Sequence, residues 1–247
     1  MKIPHGSTIL ITGKSGTGKS TLLNLIMRFW DPVSGNVKID GQDIKDATFR
    51  SLRSDIAYCP QTPIFFNTSL LSNLLYTNLD KYYNRNEAME YELIETRHET
   101  IGEIEAVLKD VGMLEYVKNL PEGLNYNMGD QGSVFSGGEK QRLSIARTLL
   151  KGAKLNLFDE PTNGLDAYNE SKFIAAIKNL KDEGRTTIIV THNLNLAKHC
   201  DEVLYLQDDA KFEIGNHASL LSNPDSGYSK LYATFLSNYR EHHHHHN

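Results

Sequence analysis

The chain has few cysteines and no long apolar run, and each of these absences excludes a class of protein. Its two cysteines, Cys59 and Cys200, lie far apart and outside any metal-ligand spacing, so we expect reduced core residues rather than a disulfide framework or a zinc site. No apolar stretch approaches the roughly 20 residues that span a bilayer, and no signal peptide is evident. If the protein serves a membrane, we expect other segments or chains to span it.

A cluster of basic residues is also missing. The 247 residues include 26 basic and 31 acidic side chains, which gives a net charge of −5, so a nucleic-acid partner is not favoured. The run His242–His246, followed by Asn247, has the pattern of a purification tag. The remaining ~240 residues are enough for one large domain with two lobes.

The segment Gly13–Thr21, with the sequence GKSGTGKST, is the feature around which the chain is organised. The apolar run Ile9–Ile11 precedes it as a predicted strand, and the apolar residues between 22 and 29 follow with the spacing of one helix face. A strand, such a loop and a helix form the context in which G-x-x-x-x-G-K-[ST] binds phosphate. A plain connecting loop is the alternative, which the complete spacing and both flanks disfavour.

Backbone N–H groups in such a loop point at one anion, and the N-terminus of the following helix adds partial positive charge. Lys19 can reach the β- and γ-phosphates of a nucleotide, and the Ser20 hydroxyl can bind Mg²⁺. The sequence therefore predicts a site for ATP and Mg²⁺. Its predicted nucleotide-binding residues are Ser15, Gly16, Thr17, Gly18, Lys19, Ser20 and Thr21.

Polar residues also follow three further predicted strands. Gln61 comes after one strand, Asp159 and Glu160 end a second, and His192 follows the third. Because parallel strands bring their carboxyl ends to one edge of a sheet, we expect these side chains to converge with the phosphate loop. Asp159 would then hold Mg²⁺, and Glu160 would polarise the attacking water as general base. The Gln61 amide could contact either the metal or that water.

A second helix start has the composition of a phosphate site. Ser136 and Glu139 match the S-x-x-E capping box, so an ordinary capped helix is the alternative. Gly137 and Gly138 argue against it, because each glycine in a helix costs about 1 kcal/mol relative to alanine, and they are explained if a phosphate approaches the backbone. Since the first loop already binds one γ-phosphate, we expect Ser136, Gly137 and Gly138 to contact the nucleotide of a second copy.

In order along the chain, the segments Gly13–Thr21, Gln61, Phe135–Gln141, Leu155–Glu160 and His192 resemble the ATPase domain of ABC transporters. The resemblance covers nearly the whole chain. It implies an α/β P-loop NTPase fold, with a RecA-like core built on a parallel sheet. It also implies an inserted α-helical subdomain and a small antiparallel sheet, which looks truncated here.

What this resemblance implies for the site is ATP hydrolysis in a head-to-tail dimer, with each ATP between one glycine loop and the other copy's Ser136–Gly138. Asp166 would be the D-loop residue, and His192 the switch histidine that contacts the γ-phosphate. The implied catalytic residues are Lys19, Gln61, Glu160 and His192, and the implied metal ligands are Ser20, Gln61 and Asp159.

The implied division of the chain is an ATP-binding core at residues 1–61 and 151–241 and a helical signature subdomain at residues 62–150. The polar residues 81–100 look like an insertion, for which we expect a surface excursion that is partly helical or disordered. Phe65 and Phe66 are either core of the second lobe or an exposed patch for a partner. The family's adenine-stacking aromatic falls upstream of residue 1, so we assign no residue to that role.

Within the family, Phe66–Tyr76 and Phe135–Arg142 resemble exporters of the multidrug-resistance, mitochondrial and heavy-metal-tolerance branch. This implies a transmembrane domain in the same or a partner polypeptide, and a place on the cytosolic or matrix face of a membrane. The segment Asp159–Thr162 looks more like importer ATPases, so an importer subunit is an alternative. A chromosome-type ATPase would need long coiled-coil heptads, which are missing. A non-hydrolysing, nucleotide-gated module is disfavoured by Glu160 and His192.

Overall fold

The computed structural model describes residues 3–13, 30–31, 36–37, 55–78, 83–85, 91–93, 98–129, 134–207 and 211–244. Gly13 is the last described residue of the predicted phosphate loop. The predicted nucleotide-binding residues from Ser15 to Thr21, Lys19 and Ser20 among them, therefore lie outside the described residues. Among the helices that are described, none has the length and apolar character needed to cross a bilayer.

Strands that are distant in sequence form one mixed sheet. The described strands are β1 (Thr8–Gly13), β2 (Trp30–Asp31), β3 (Asn36–Val37), β4 (Ile56–Cys59), β5 (Tyr83–Arg85), β6 (Tyr91–Leu93), β7 (Leu155–Asp159), β8 (Thr186–Val190), β9 (Glu202–Leu206) and β10 (Phe212–Gly215). The main sheet has the order β10-β9-β1-β8-β7-β4, in which neighbouring strands are parallel except for the antiparallel edge strand β10. The order confirms the predicted α/β fold with a parallel sheet.

Helices occupy the chain between β4 and β7 and after β7. The described helices are α1 (Leu70–Leu75), α2 (His98–Asp110), α3 (Leu114–Lys118), α4 (Gly137–Lys151), α5 (Ala167–Asp182), α6 (His217–Leu221) and α7 (Gly227–His244). Strands β5 and β6 pair as a short antiparallel ribbon within residues 81–100, where we expected helix or disorder. Three-residue strands are too short to leave a period-two pattern, so the sequence gives no sign of them.

Both faces of the main sheet are apolar, because its strands are covered on both sides. On one face Leu10, Phe158 and Ile189 pack into a core that includes Leu143 of α4 and Phe173 of α5. Residues of opposite parity along the same strands form a second cluster on the other face. That cluster consists of Ile3, Ile9, Ile11, Ile56, Leu155, Leu157, Ile188, Val190 and Leu204. The continuous apolar runs of β1, β7 and β8 are therefore required by burial on two sides.

The two cysteines are free, as predicted, and neither is exposed. Cys59 is fully buried at the end of β4, where its Sγ lies 3.5 Å from Ser144 Oγ, and burial raises the pKa of its thiol. Burial raises the pKa of the Cys200 thiol to about 12. Both thiols are therefore protonated at neutral pH, which is the state of an unreactive core cysteine.

The two neighbouring phenylalanines have different environments. Phe65 packs against the core and lies under the guanidinium of the buried Arg147, which is 4.9 Å from the ring centroid, whereas Phe66 is 52% exposed. Asn73 of α1 fixes the backbone of this segment: its Oδ1 accepts a hydrogen bond from Phe66 N at 2.8 Å, and its Nδ2 donates to the carbonyls of Phe66, Thr68 and Ser69. The Asn73 side chain thus adds to the backbone hydrogen bonds that the carbonyls of Phe66, Thr68 and Ser69 already accept.

Asn73→Ala should lower the free energy of unfolding by about 2–4 kcal/mol, because it removes the four hydrogen bonds of a buried side chain, leaves the Phe66 amide without its partner and opens a small cavity. Asn125→Ala, at an exposed asparagine in the same part of the chain, should change it by less than about 0.5 kcal/mol. Urea denaturation of both variants measures the difference. Equal midpoints would show that Asn73 does not stabilise this segment.

Candidate functional site

The carboxyl ends of three adjacent strands meet at one edge of the sheet. Asp159 at the end of β7 is in register with Val190 at the end of β8, and Cys59 at the end of β4 is in register with Phe158. The residues that follow these strands line one cleft of about 260 Å³. The cleft is lined by Gln61, Asp159, Glu160, Asn163, Val190, His192 and Asn193. The structure therefore brings together the predicted residues Gln61, Asp159, Glu160 and His192.

Glu160 has the most constrained position in this cleft. It is 8% exposed, and its φ of 45° lies in the left-handed region, which a residue other than glycine rarely adopts. Its amide donates to the Val190 carbonyl at 2.7 Å, and its carbonyl accepts from Asn163 N at 3.3 Å. A strained backbone of this kind persists only where surrounding contacts determine it, and such positions cluster at active sites.

The Glu160 carboxylate is held by groups from the loop after β8. Thr191 Oγ1 donates to Oε2 at 2.9 Å, and the His192 amide lies 3.2 Å from Oε1 and 3.4 Å from Oε2. The His192 ring is more than half exposed, and its Nε2 is 3.7 Å from Glu160 Oε1. The carboxylate and the imidazole thus stand side by side, with the imidazole reaching into the open part of the cleft.

Asp159 and Gln61 contribute a carboxylate and an amide to the same cleft. Tyr58 of β4 shares a hydrogen bond with the Asp159 carboxylate; burial and then the charge of Asp159 raise the pKa of the Tyr58 phenol. Within the described part of the chain, no cluster of three or more His, Cys, Asp or Glu residues could bind a metal ion. One carboxylate and one amide oxygen in an open polar cleft do fit Mg²⁺, which takes few protein ligands and completes its shell with phosphate and water.

The predicted second phosphate site is the exposed start of α4. Ser136 Oγ accepts from Glu139 N at 3.2 Å, and Glu139 Oε1 accepts from Ser136 N at 2.7 Å. The capping box is therefore complete, as in the ordinary capped helix that was the alternative. The glycines have separate environments: a Cβ on Gly137 would meet nothing within 4 Å, whereas a Cβ on Gly138 would lie 3.0 Å from the Gly164 carbonyl oxygen.

Helix α4 is attached to the segment that follows Glu160. Gln141 Nε2 donates to the Pro161 carbonyl at 3.1 Å, within the same segment as the Gly138–Gly164 approach. Asp166 then begins α5 as its N-cap, because its Oδ1 accepts from Asn169 N at 2.8 Å. The described cleft lining does not include Ser136, Gly137 or Gly138, so this helix start is not part of the cleft of its own chain.

Thr191 and Asn193 are site residues that the sequence reasoning missed. The sequence analysis assigns no role to either residue. The available signal was position: both flank His192 directly at the carboxyl end of β8. Polar residues that flank a candidate catalytic residue at a strand end lie at the edge where an open α/β sheet binds its ligand.

A family model and individual relatives place the chain in the same protein family. The family model described as ABC transporter matches residues 1–163. The chain is 39% identical over 231 residues to the mitochondrial iron-sulfur clusters transporter ATM1 of Debaryomyces hansenii, covering 93% of this chain and 31% of that protein. It is 36% identical over 222 residues to the ATP-dependent lipid A-core flippase of Cupriavidus pinatubonensis, covering 90% of this chain and 35% of that protein.

A solved structure, that of a bacterial Atm1-family ABC exporter with ATP bound, matches the fold with a TM-score of 0.74 at 34% identity. The match covers 94% of this chain and 37% of that one, so the chain spans about a third of the length of its relatives. The predicted family and fold are confirmed by these matches together with the parallel sheet. The chain belongs to the ABC transporter family, and the relatives that it matches include exporters.

Proposed function

We propose that two copies of this chain bind two MgATP between them and hydrolyse the nucleotide to power export across a membrane. The observation that carries this proposal is the convergence of Gln61, Asp159, Glu160 and His192 on one cleft at the carboxyl edge of the sheet. In an open α/β sheet this edge is where ligands bind. The glycine loop that would hold the triphosphate begins at Gly13, at the same end of the neighbouring strand β1.

The predicted site residues have the following proposed tasks. Lys19 would clamp the phosphates, and Ser20, Asp159 and Gln61 would hold Mg²⁺, which when bound offsets the negative charge of the phosphates. Glu160 would accept a proton from the attacking water at its carboxylate. His192, exposed and 3.7 Å from Glu160 Oε1, would contact the γ-phosphate.

The start of α4 would act on the nucleotide of the partner copy. Ser136 and Gly137 are exposed, and they lie outside the cleft of their own chain. The N–H groups of a helix N-terminus bind anions, and Gly137 leaves open space in which a phosphate could approach the backbone. In this arrangement neither copy has a complete site alone, so turnover would depend on association of two copies.

The membrane context is proposed from the relatives. The relatives include an iron-sulfur clusters transporter and a lipid A-core flippase, which differ in cargo, so the role that this chain would share with them is to supply energy. In that role it would lie at the cytosolic or matrix face of a membrane, next to a transmembrane domain. Pro161 and Thr162 favour the second candidate, the ATPase subunit of an importer. The natural polypeptide distinguishes the two: a membrane-spanning run directly before Met1 supports an exporter half, and a separate ATPase subunit supports an importer.

Glu160→Gln should retain ATP binding and lower turnover by about 10²–10⁴-fold, because an amide cannot accept the proton of the attacking water. Phosphate release and equilibrium binding of a fluorescent ATP analogue measure the two effects. Glu122→Gln, at an exposed glutamate remote from the cleft, is the matched control and should leave both unchanged. Turnover of Glu160→Gln at the wild-type rate would remove Glu160 from this role.

Gly137→Ala should leave the fold at least as stable as the wild type and raise its free energy of unfolding by up to about 1 kcal/mol, because alanine favours helix and its Cβ meets no neighbour. The same change should reduce ATP turnover, since the methyl group occupies the proposed path of the phosphate.

Gly138→Ala is the comparison, because its Cβ would crowd the Gly164 carbonyl and cancel the gain in stability. Urea denaturation and phosphate release test both variants. A stabilised Gly137→Ala with full turnover would contradict a phosphate contact at this helix start.

A further inference from the structure

The Thr191 hydroxyl joins the candidate base to the loop that carries His192. Thr191 is fully buried, and its Oγ1 donates to Glu160 Oε2 at 2.9 Å while accepting from Asn193 N at 2.9 Å. A hydroxyl has one hydrogen to donate, and here that hydrogen is directed at the carboxylate. The hydroxyl thus accepts from Asn193 N and donates its one hydrogen to Glu160.

Thr191 also determines which carboxylate oxygen is left for chemistry. The His192 amide is nearly equidistant from the two oxygens, at 3.2 and 3.4 Å, so this N–H alone does not fix the rotation of the carboxylate. The Thr191 hydroxyl contacts only Oε2. Oε1 is consequently the oxygen directed toward the His192 ring, whose Nε2 lies 3.7 Å away.

Asn193 extends this contact to helix α5. Its Nδ2 donates to Thr162 Oγ1 at 3.0 Å and to Glu170 Oε1, and its Oδ1 accepts from Asn195 N at 3.2 Å. Glu170 lies in the first turn of α5, the helix that Asp166 caps. Hydrogen bonds therefore run from Glu170 through Asn193 and Thr191 to the Glu160 carboxylate.

A second buried threonine shows that burial alone does not require such a contact. Thr187, on the same strand β8, is also fully buried, yet its Oγ1 has no hydrogen-bond partner among the described residues. The fold thus accommodates an unpaired threonine hydroxyl in this strand. The need of a buried hydroxyl for a hydrogen-bond partner therefore does not by itself explain the contact between Thr191 and Glu160.

We propose that Thr191 is a positioning residue for Glu160: its hydroxyl holds Oε2 so that Oε1 faces the reacting water, and Asn193 and Glu170 fix Thr191 relative to α5. This inference rests on the proposed role of Glu160 as general base. It assigns to a strand-end threonine and to the asparagine beyond His192 a function in turnover rather than in folding alone.

The test compares Thr191→Val, Thr191→Ser and the matched control Thr187→Val in the whole chain, at protein concentrations that allow two copies to associate. Valine keeps the shape of threonine and removes the hydroxyl. We expect Thr191→Val to lower kcat by about 10–10²-fold with KM and the affinity for a fluorescent ATP analogue within about twofold, because a hydrogen bond to a charged group is lost. Thr191→Ser should restore kcat to within about threefold, and Thr187→Val should match the wild type.

Further variants separate failure of this inference from failure of the proposed function. In a Glu160→Gln background, Thr191→Val should reduce turnover no further, because residues that act as a unit are not additive. Loss of turnover in Glu160→Gln with a wild-type kcat in Thr191→Val would overturn the positioning role and leave the base intact. Wild-type turnover in Glu160→Gln would instead overturn the proposed function itself.

Stability is checked by urea denaturation of each variant. If Thr191→Val does not fold, Asn193→Ala tests the same chain of contacts from its other end, with an expected fall in kcat of about 3–10-fold at unchanged KM. Unchanged kcat in Asn193→Ala, or equal loss in Thr191→Val and Thr191→Ser, would contradict the inference.

Discussion

The hydrogen bond from the Glu160 amide to the Val190 carbonyl is the contact on which the site depends. It continues the β7–β8 pairing one residue beyond the end of β7, to a glutamate whose positive φ is a conformation that residues other than glycine rarely adopt. Because this bond holds β7 and β8 in register, the Glu160 carboxylate after β7 contacts the Thr191 hydroxyl and the His192 amide after β8. Loss of that register would separate Glu160 from Thr191 and His192 together.

Several features of this arrangement could be predicted from the sequence. Apolar runs that end in Gln61, Asp159–Glu160 and His192 indicate parallel strands, and parallel strands share one edge. The capping box of Ser136 and Glu139 and the free state of Cys59 and Cys200 also follow from local chemistry. In each case the information lies within a few residues, which is why the reasoning succeeds.

Other features depend on contacts between distant residues and leave no local pattern. The pairing of β5 with β6 involves three residues a side, and the turn that carries Phe66 is held by Asn73 through side-chain bonds to backbone. The link from Thr191 to Glu160 joins positions 31 residues apart. The roles of Lys19 and Ser20 remain predictions, since they lie outside the described residues.

The state of the two thiols has a practical consequence for following how copies of the chain meet. With a pKa of about 12, Cys200 is almost entirely protonated at neutral pH, and Cys59 is sealed inside the sheet core. The thiolate is the form of cysteine that attacks labelling reagents, so neither native side chain should compete with a newly introduced surface cysteine. A spin label or fluorophore could therefore be placed at the exposed position 168, two residues after Asp166, without first removing a native cysteine.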